Sequence, residues 1–199
     1  QVEELLNRSR CSNNSLEESG MTAQHPLFLR FLEALREGVS EKSSDFRNFV
    51  FSNLIDGRVA SRHIVIRDFI EENCSIIFFS DLRTPKVHSI LEDKATTCVF
   101  YSKRAELQIR ASTFSRIIED EALVDSYWES VPILSRKAYL TLKSPSSKSD
   151  ERTDGLPKQY DKYCNSSRYK DKARNNFCVI ENVIGELDLS YAQIYFCGI

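Results

Sequence analysis

The sequence predicts an α+β fold in which an antiparallel β-sheet closes fully or partly into a barrel, with helices inserted between its strands. First, the dipeptide Asp56-Gly57 lies between two strand-like runs, residues 49–55 and 58–69. A primed turn needs positive φ at both central positions, so this pattern indicates a β-hairpin. Second, residues 95–102 and 106–118 form another pair of strand-like runs, joined by a short charged turn. Third, helical segments separate these pairs, and closure of the sheet protects its edge strands.

The other elements of the first half follow from apolar spacing and from helix caps. A helix over residues 26–39 begins at Pro26 and carries apolar residues at helical spacing, namely Leu27, Phe28, Phe31, Leu32 and Leu35. The β-branched and aromatic run 74–80 predicts a strand. A helix from Pro85 to about residue 93 follows, with Thr84 as its N-cap.

The second half of the chain is less regular in sequence. Residues 120–131 and 134–142 predict helices, and strands are expected near 176–183 and 191–196. Between them, residues 143–172 are rich in Ser, Lys and Asp, which predicts a long mobile loop. With 199 residues, the chain is expected to form a single domain over residues 1–199.

The charge balance argues against two classes of partner. The chain has 27 basic and 29 acidic side chains, so no global charge favours nucleic acid or an anionic membrane surface. The longest apolar runs, such as residues 76–79, are far too short to span a bilayer, and no secretory leader opens the sequence. We therefore expect a cytoplasmic protein. Because the chain begins at Gln1 and its only methionine is Met21, we also expect that its natural N-terminus is trimmed.

The cysteines and histidines do not form a metal-binding pattern. No two of the six cysteines have a C-x-x-C spacing, and the three histidines are widely scattered, so we predict no metal site. Cys74, Cys98 and Cys178 lie within apolar strand-like runs, where cysteine behaves as a small buried hydrophobic residue. We expect structural roles for these three and no disulfide framework.

Residues 80–86 form a candidate phosphate site. Ser80 ends a predicted strand, Thr84 precedes the next helix, and Lys86 lies in the first turn of that helix. Backbone N–H groups, the helix dipole and an ammonium group would then point to one place, which favours a phosphate. An ordinary capped helix with a solvated lysine explains the same pattern.

Two strands carry further candidate ligand residues. Arg62 and Arg67 point to opposite faces of an ideal strand, so both reach one ligand only if the strand bulges or ends near Arg67. Gln108 and Arg110 share one face of the strand 106–118, opposite the apolar face, and form a polar stripe for a ligand or a partner subunit. Solvent-exposed polar side chains explain either pattern equally well.

The order of these motifs resembles the FMN-binding split barrel of the pyridoxamine 5′-phosphate oxidase family. The resemblance covers roughly residues 49–188 and is closest to an oxidase-like subgroup known from cyanobacteria and proteobacteria. It rests on an arginine-bearing strand followed by short motifs, which are Phe78-Phe79-Ser80-Asp81, Arg83-Thr84-Pro85-Lys86, Leu107-Gln108-Ile109-Arg110 and the run WESVPILSRKAY from Trp128 to Tyr139. The resemblance implies a flavoprotein with FMN as its cofactor.

The resemblance also implies roles for individual residues. Residues of one strand would line the flavin, namely Arg62, His63, Ile64, Val65, Ile66 and Arg67. Phe79 and Ser80 match an aromatic and hydroxyl pair beside the cofactor, and Gln108 matches a glutamine at the flavin ring system. Thr84 and Lys86 match phosphate ligands, which Ser80 and Arg62 would join. Since the cofactor of this family lies at a subunit interface, the resemblance implies a homodimer with FMN at that interface.

The resemblance assigns a small-molecule substrate to Arg67, Tyr127, Ser135 and Arg136. Arg67 stands where the oxidases carry a lysine, Pro85 replaces an arginine, and Val131 occupies the position of an arginine that binds the substrate phosphate. Leu187 stands near the position of a C-terminal tryptophan, and no R-x-H-x-R run occurs before Ile199. We therefore expect a truncated chain or weak oxidation of pyridoxamine phosphate.

Three functions remain compatible with the sequence. The first is an FMN-dependent oxidoreductase similar to pyridoxamine 5′-phosphate oxidase. The second is an FMN-binding module without oxidase turnover. The third is an NAD(P)H-dependent flavin-type reductase, which the absence of a G-x-G-x-x-G element neither supports nor excludes.

Overall fold

The computed structural model of the chain describes residues 26–145, 147, 153–157 and 167–191. These residues form four α-helices and seven β-strands, joined by turns and three short 3₁₀-helices. In chain order they are α1 (Pro26–Ser40), β1 (Asn48–Ile55), β2 (Arg58–Val65), β3 (Asp68–Ile70), β4 (Ser75–Asp81), α2 (Pro85–Glu92), β5 (Ala95–Ser102), β6 (Leu107–Ile117), α3 (Glu121–Ser130), α4 (Ser167–Asn176) and β7 (Phe177–Tyr191). The 3₁₀-helices are Asp45–Arg47, Glu71–Asn73 and Ser135–Leu140.

The seven strands form one sheet in the order β2-β1-β5-β6-β7-β4-β3. The pairs β1–β2, β1–β5, β3–β4 and β5–β6 all run antiparallel. The helices lie between strands in the sequence rather than in a regular alternation with parallel strands. This confirms the predicted α+β class with an antiparallel sheet and inserted helices.

The predicted β-hairpin is formed by β1 and β2. Ile55 pairs with Arg58, so Asp56 and Gly57 are the two turn residues. Their φ angles are 52° and 71°, the positive values that a primed two-residue turn requires. The turn fixes the register of the whole pair, up to the partners Asn48 and Val65.

The described residues group into two compact units. The first contains the residues up to Phe78, Lys94–Ser115 and the residues from Glu181 onward. Its core is largely aromatic: the rings of Phe49 and Phe100 stack with centroids 4.8 Å apart, and α1 contributes Phe31, which meets Phe69 edge-on at 5.7 Å. Phe49 and Phe100 are buried because every second residue of an amphipathic strand faces the core, and Phe31 lies on the buried face of α1.

The second unit contains Phe79–Asp93 and Arg116–Ile180. Phe177 lies at the centre of an aromatic cluster, with ring centroids 5.0 Å from Phe79, 5.0 Å from Trp128 and 5.2 Å from Tyr139. The prediction of a single domain stays a prediction, since compact units within one chain can belong to one domain.

The strand predicted over residues 58–69 is interrupted. β2 ends at Val65, after which the Ile66 N–H donates to the Arg47 carbonyl at 3.0 Å and the Arg67 N–H donates to the Ile77 carbonyl at 2.9 Å. The chain therefore leaves β1 and, as β3, pairs with β4. The run of strand-forming residues gave no sign of this break, because the break follows from a change of hydrogen-bonding partner.

Three boundaries in the second half of the chain also differ from the predictions. The stretch 134–142 contains a 3₁₀-helix rather than an α-helix. The stretch 143–172, predicted as a loop, includes the start of α4, whose polar sequence is stabilised by burial of Ala173 and by the ion pairs of Arg174 with Glu121 and Asp125 of α3. Instead of two final strands, β7 continues without a break to Tyr191. The rest of the strand predicted over 191–196 lies outside the described residues.

None of the helices in the described part of the chain has the length and the hydropathy needed to cross a lipid bilayer.

Candidate functional site

The segment between β4 and α2 has the conformation that the sequence predicts. Thr84 occupies the N-cap position with extended backbone angles, φ −78° and ψ 146°, and Pro85 begins the helix. The hydroxyl of Thr84 does not cap the helix, however; it donates to the Asp81 carbonyl at 2.8 Å. The first turn of α2 contains no acidic side chain, so its charge does not oppose an anion.

Two buried hydroxyl groups and one ammonium group lie together at this helix start. The Oγ of Ser80 lies 3.3 Å from Oγ1 of Thr84, and each residue is only 4% exposed. The Nζ of Lys86, which is half-buried, donates to the same Thr84 Oγ1 at 3.5 Å. Since the Thr84 hydrogen points to the Asp81 carbonyl, Thr84 accepts from its neighbours, and the Lys86 ammonium places a positive charge and N–H donors beside it.

The loop that carries these groups is closed by an ion pair. The Nε and Nη2 of Arg83 donate to the two carboxylate oxygens of Asp81 at 2.9 and 2.6 Å. The backbone N–H of Arg83 also donates to Asp81 Oδ1 at 2.9 Å, which makes an Asx turn. The hydrogen bond with Asp81 raises the pKa of the Arg83 guanidinium, against the smaller effect of its burial. An aspartate two residues before Arg83 is the signal in the sequence for this turn.

A buried thiol lies behind the same loop. The Sγ of Cys178 donates to the Ser80 carbonyl at 3.4 Å. Burial raises the pKa of the Cys178 thiol to about 12, although the charge of Lys86 acts in the opposite direction. Cys178, like Cys74 and Cys98, is buried and not in a disulfide, which confirms the structural placement predicted for these three cysteines.

Phe79 and Tyr127, assigned by the resemblance to cofactor and substrate, lie next to each other. Their ring centroids are 5.6 Å apart in an edge-to-face arrangement, and both residues are half-buried. The adjacent Trp128 is 7% exposed and belongs to the aromatic core of the second unit. Tyr127 is thus partly covered, with Phe79 as one neighbour.

The other two substrate candidates of this unit differ from each other. Ser135 is exposed at the start of its 3₁₀-helix. The guanidinium of Arg136 donates to three backbone carbonyls, those of Val131 and Trp128 at 2.9 Å and that of Glu129 at 3.2 Å. Arg136 therefore binds the C-terminal end of α3 in this structure.

In the first unit, Arg62 is held by its own hairpin. Its Nη1 donates to Oδ1 of Asn53, which is 4% exposed, and its guanidinium carbon lies 5.6 Å from the centroid of the Phe51 ring. Burial lowers the pKa of Arg62. Arg62 is therefore an ordered cation, with Asn53 as a partner that the sequence did not reveal.

The other residues of the segment 62–67 differ in how deeply they are buried. His63 and Arg67 are exposed, Ile64 and Val65 are half-buried, and Ile66 is fully buried. Because β2 ends at Val65, strict alternation does not extend to Arg67. Since the strand ends two residues before Arg67, Arg62 and Arg67 need not point to opposite faces of the sheet.

The polar stripe of β6 is present as predicted. Leu107, Ile109 and Ala111 are fully buried, and the alternate residues Gln108 and Arg110 are exposed. The Nε2 of Gln108 donates to Ser190 Oγ at 3.5 Å, and Nη2 of Arg110 pairs with Asp188 at 2.6 Å. The stripe thus continues onto β7.

Comparisons with known proteins agree with this architecture. Residues 29–119 match a family model described as pyridoxamine 5′-phosphate oxidase, FMN-binding domain. No curated protein sequence matches the chain. All cofactor candidates lie within the matched residues, whereas Tyr127, Ser135 and Arg136 lie beyond them.

Two solved structures are similar to this one. A pyridoxamine 5′-phosphate oxidase-related, FMN binding protein from Nostoc punctiforme shares 16% sequence identity at a TM-score of 0.60, over 82% of this chain and 83% of that chain. PhzG from Burkholderia lata, solved in complex with tetrahydrophenazine-1-carboxylic acid, shares 16% identity at a TM-score of 0.58, over 82% of this chain and 77% of that chain. At such identity these likenesses show a shared fold, the split barrel. Residues 29–119 of this chain are thus similar to the FMN-binding domain of pyridoxamine 5′-phosphate oxidase, and the chain shares the fold of FMN-binding relatives.

Proposed function

We propose that this protein is an FMN-dependent oxidoreductase that binds the phosphate of FMN through Ser80 and Lys86 at the start of α2. The observation that carries the proposal is the buried hydroxyl pair of Ser80 and Thr84, with the Lys86 ammonium 3.5 Å from Thr84 Oγ1. Buried hydroxyl groups and a half-buried ammonium group at a helix N-terminus suit a phosphate, because they supply charge and donors where the helix dipole also favours an anion.

The residues fit the group chemically. The Lys86 ammonium carries three N–H groups, and the single hydroxyl hydrogen of Ser80 would turn from its neighbours in the loop to the phosphate, which offers only acceptors. Thr84 holds these two donors in place rather than binding the phosphate through its own hydrogen, which Asp81 accepts. The predicted cofactor residues of the first unit, from Arg62 to Arg67 and Gln108, stay predictions that rest on the resemblance.

Bound FMN would supply the redox chemistry, which is hydride transfer. The chain contributes binding and orientation. Phe79 and Tyr127 offer a half-buried aromatic surface that suits a flat substrate or ring system. We infer that Tyr127 is the substrate contact with the best support in the second unit.

Turnover of pyridoxamine phosphate is expected to be weak. The resemblance places an arginine for the substrate phosphate at Val131, which is buried here at 6% exposure, and Arg136 is bound to three carbonyl groups. Each lost charged contact to a phosphate costs roughly 1.5–3 kcal/mol. This observation favours FMN binding with another substrate, or without oxidase turnover, over efficient pyridoxamine phosphate oxidation.

A homodimer is the partner arrangement that we propose. In the first unit, one face of the sheet exposes the large apolar side chains of Leu54, Val59, Tyr101 and Phe114, with exposures between 43% and 74%. Leu54 pairs with Val59, and Tyr101 pairs with Gln108, so these residues share the face of the polar stripe. Several large apolar side chains on one exposed face, mixed with polar groups, are typical of a subunit interface.

The phosphate site is tested by titrating the apoprotein with FMN and following the quenching of flavin fluorescence. Lys86→Ala is expected to weaken FMN binding about 10- to 100-fold, because one charge-assisted hydrogen bond is lost. Lys42→Ala, at an exposed turn position, is the control and should leave the affinity unchanged. Equal dissociation constants for Lys86→Ala and the unmodified protein would refute the assignment.

Turnover is measured separately, with the FMN-loaded protein and pyridoxamine phosphate, by following formation of pyridoxal phosphate and hydrogen peroxide. An authentic oxidase is assayed beside it. We expect kcat/KM to fall about a hundredfold or more below that of the oxidase, the equivalent of two lost charged contacts. An efficiency within about tenfold would show that the substrate site is intact.

A further inference from the structure

The proposed phosphate site contains a buried acidic residue. Asp81 is 4% exposed and lies directly after Ser80, one of the proposed phosphate-binding residues. A carboxylate at such a place repels a phosphate unless its charge is balanced. Arg83 balances it with two side-chain hydrogen bonds, at 2.9 and 2.6 Å, in the bidentate geometry that is the strongest form of this contact.

Asp81 also organises the loop through its backbone. Its carbonyl accepts from the N–H of Thr84 at 3.1 Å and from the Thr84 hydroxyl at 2.8 Å, and Ser80 Oγ lies 3.4 Å away. These bonds orient the Thr84 hydroxyl so that its lone pairs face Ser80 and Lys86. The arrangement of the two buried hydroxyls therefore depends on the position of Asp81.

Arg83 connects the loop to a distant part of the sequence in the same unit. Its Nη1 donates to the Thr141 carbonyl at 2.9 Å and its Nη2 to Thr141 Oγ1 at 3.2 Å. In return, the hydroxyl of Ser144 donates to the Arg83 carbonyl at 2.7 Å. Both Asp81 and Arg83 therefore hold the loop between β4 and α2 in place. Because the loop is already ordered, a ligand that binds there pays little conformational entropy.

We propose that Asp81 and Arg83 are positioning residues of the phosphate site: their ion pair, anchored on Thr141, holds the Ser80 hydroxyl and the Lys86 ammonium in the arrangement that binds the FMN phosphate. The inference rests on the proposed function, in which this phosphate lies at Ser80 and Lys86. Neither Asp81 nor Arg83 touches the phosphate; both act through Thr84 and the backbone of the loop.

The direction in which one substitution changes the affinity for FMN distinguishes a positioning role from a simple effect of charge. Asp81→Asn keeps the size of the side chain and removes its negative charge, which leaves Arg83 as an unbalanced cation. If only charge mattered, FMN would bind more tightly. If the ion pair positions the donors, FMN binds more weakly, by about tenfold, the equivalent of one charge-assisted hydrogen bond.

Riboflavin, which lacks the phosphate, is the comparison ligand. A general loss of structure would weaken the binding of both riboflavin and FMN, whereas a change at the phosphate site would weaken FMN alone. Dissociation constants for FMN and riboflavin are measured for the unmodified protein and for Asp81→Asn, Arg83→Lys, Lys86→Ala and Asp81→Asn/Lys86→Ala. We expect Asp81→Asn to lower FMN affinity and leave riboflavin affinity unchanged. Arg83→Lys keeps the charge but loses the bidentate fork, so its affinity for FMN should lie between those of the unmodified protein and Asp81→Asn. In the double variant the effects on FMN should be less than additive. Glu121→Gln, which weakens a remote ion pair of the same unit, is the control.

The outcomes distinguish the inference from the function on which it rests. A selective loss of FMN affinity in Lys86→Ala, without such a loss in Asp81→Asn, would overturn the positioning role and keep the phosphate site. Equal weakening of FMN and riboflavin by Asp81→Asn, or tighter FMN binding, would also overturn it. No selective loss in Lys86→Ala would instead refute the proposed phosphate site.

Discussion

The guanidinium of Arg136 lies over the ring of Trp128, with its central carbon 4.7 Å from the ring centroid. The same guanidinium donates to carbonyl groups at the end of α3, where a helix leaves its last carbonyls without intrahelical partners. Cation–π contact and capping act together on one turn of the chain. Arg136 thus links the helix that carries Tyr127 to the 3₁₀-helix that follows it.

We expect Arg136 to contribute more to stability than to substrate binding. Arg136→Met should lower the free energy of unfolding by roughly 1.5–3 kcal/mol, because charged hydrogen bonds to the helix end are lost. Arg136→Lys should lose part of this, since an ammonium cannot replace the planar fork. Urea unfolding checks both, with Lys137→Met as the matched control on the same 3₁₀-helix. Unchanged stability together with lost turnover would instead assign Arg136 to the substrate.

Gly38 of α1 is expected to tolerate no side chain. A Cβ at this position would lie 2.5 Å from the carbonyl oxygen and 2.9 Å from the carbonyl carbon of Phe46, which are backbone atoms. Helix propensity alone predicts that Gly38→Ala stabilises the protein by about 1 kcal/mol. We expect the opposite, a loss of about 1–3 kcal/mol, because the backbone must move apart.

Gly57 provides the comparison for Gly38, since a Cβ there meets no atom within 4 Å and only its φ of +71° is unfavourable. Gly57→Ala should lower the free energy of unfolding by about 1 kcal/mol, because alanine must adopt the left-handed conformation, and Gly57→Asn should lower it less. Thermal or urea unfolding of the variants decides the matter. A stabilised Gly38→Ala protein would show that α1 and the Phe46 backbone are not in the close contact described.

Stability should fall at alkaline pH through two buried thiols. Burial raises the pKa of Cys98 and of Cys178 to about 12, from an ordinary value of 9.0. Above pH 9 the unfolded chain loses these protons while the folded protein keeps them. Their contribution is therefore complete below pH 9 and is lost as pH rises toward 12, by up to about 1.4 kcal/mol per pH unit for each thiol.

The measurement for the thiols is the free energy of unfolding at several pH values from 8 to 11. Cys178→Ala should show a smaller decrease with pH than the unmodified protein, whatever its stability at pH 8. The difference between the two slopes isolates this thiol from tyrosine and lysine titration. Parallel slopes would mean that Cys178 ionises as readily in the folded protein as in the unfolded chain.

The proposed homodimer predicts twice the mass of a single chain by light scattering of the FMN-bound protein. Val59→Lys and Tyr101→Lys place charges on the exposed sheet face and should shift the population toward the monomer. Leu91→Lys alters an apolar side chain that is 66% exposed on α2 and serves as the control. A stable FMN-bound monomer of the unmodified protein at micromolar concentration would contradict the proposal.

Local patterns in the sequence determined most of the secondary-structure elements and the candidate phosphate site at the start of α2. Asp56-Gly57 predicts the β1–β2 hairpin because only a few residue types accept positive φ, and the alternation in β6 predicts its buried and exposed faces. Thr84 and Pro85 predict the start of α2 for the same local reason. These features depend on residues that are neighbours in the chain, and so the sequence displays them.

Tertiary structure alone decided the features that depend on distant partners. The end of β2 at Val65 follows from hydrogen bonds to Arg47 and Ile77, and no residue in the run marks it. The contact between Arg83 and Thr141 joins residues 58 positions apart, and Arg136 caps a helix that the resemblance placed beside the substrate. A side chain with several donors takes the partners that folding brings within reach, and the sequence specifies those donors without specifying which acceptors they meet.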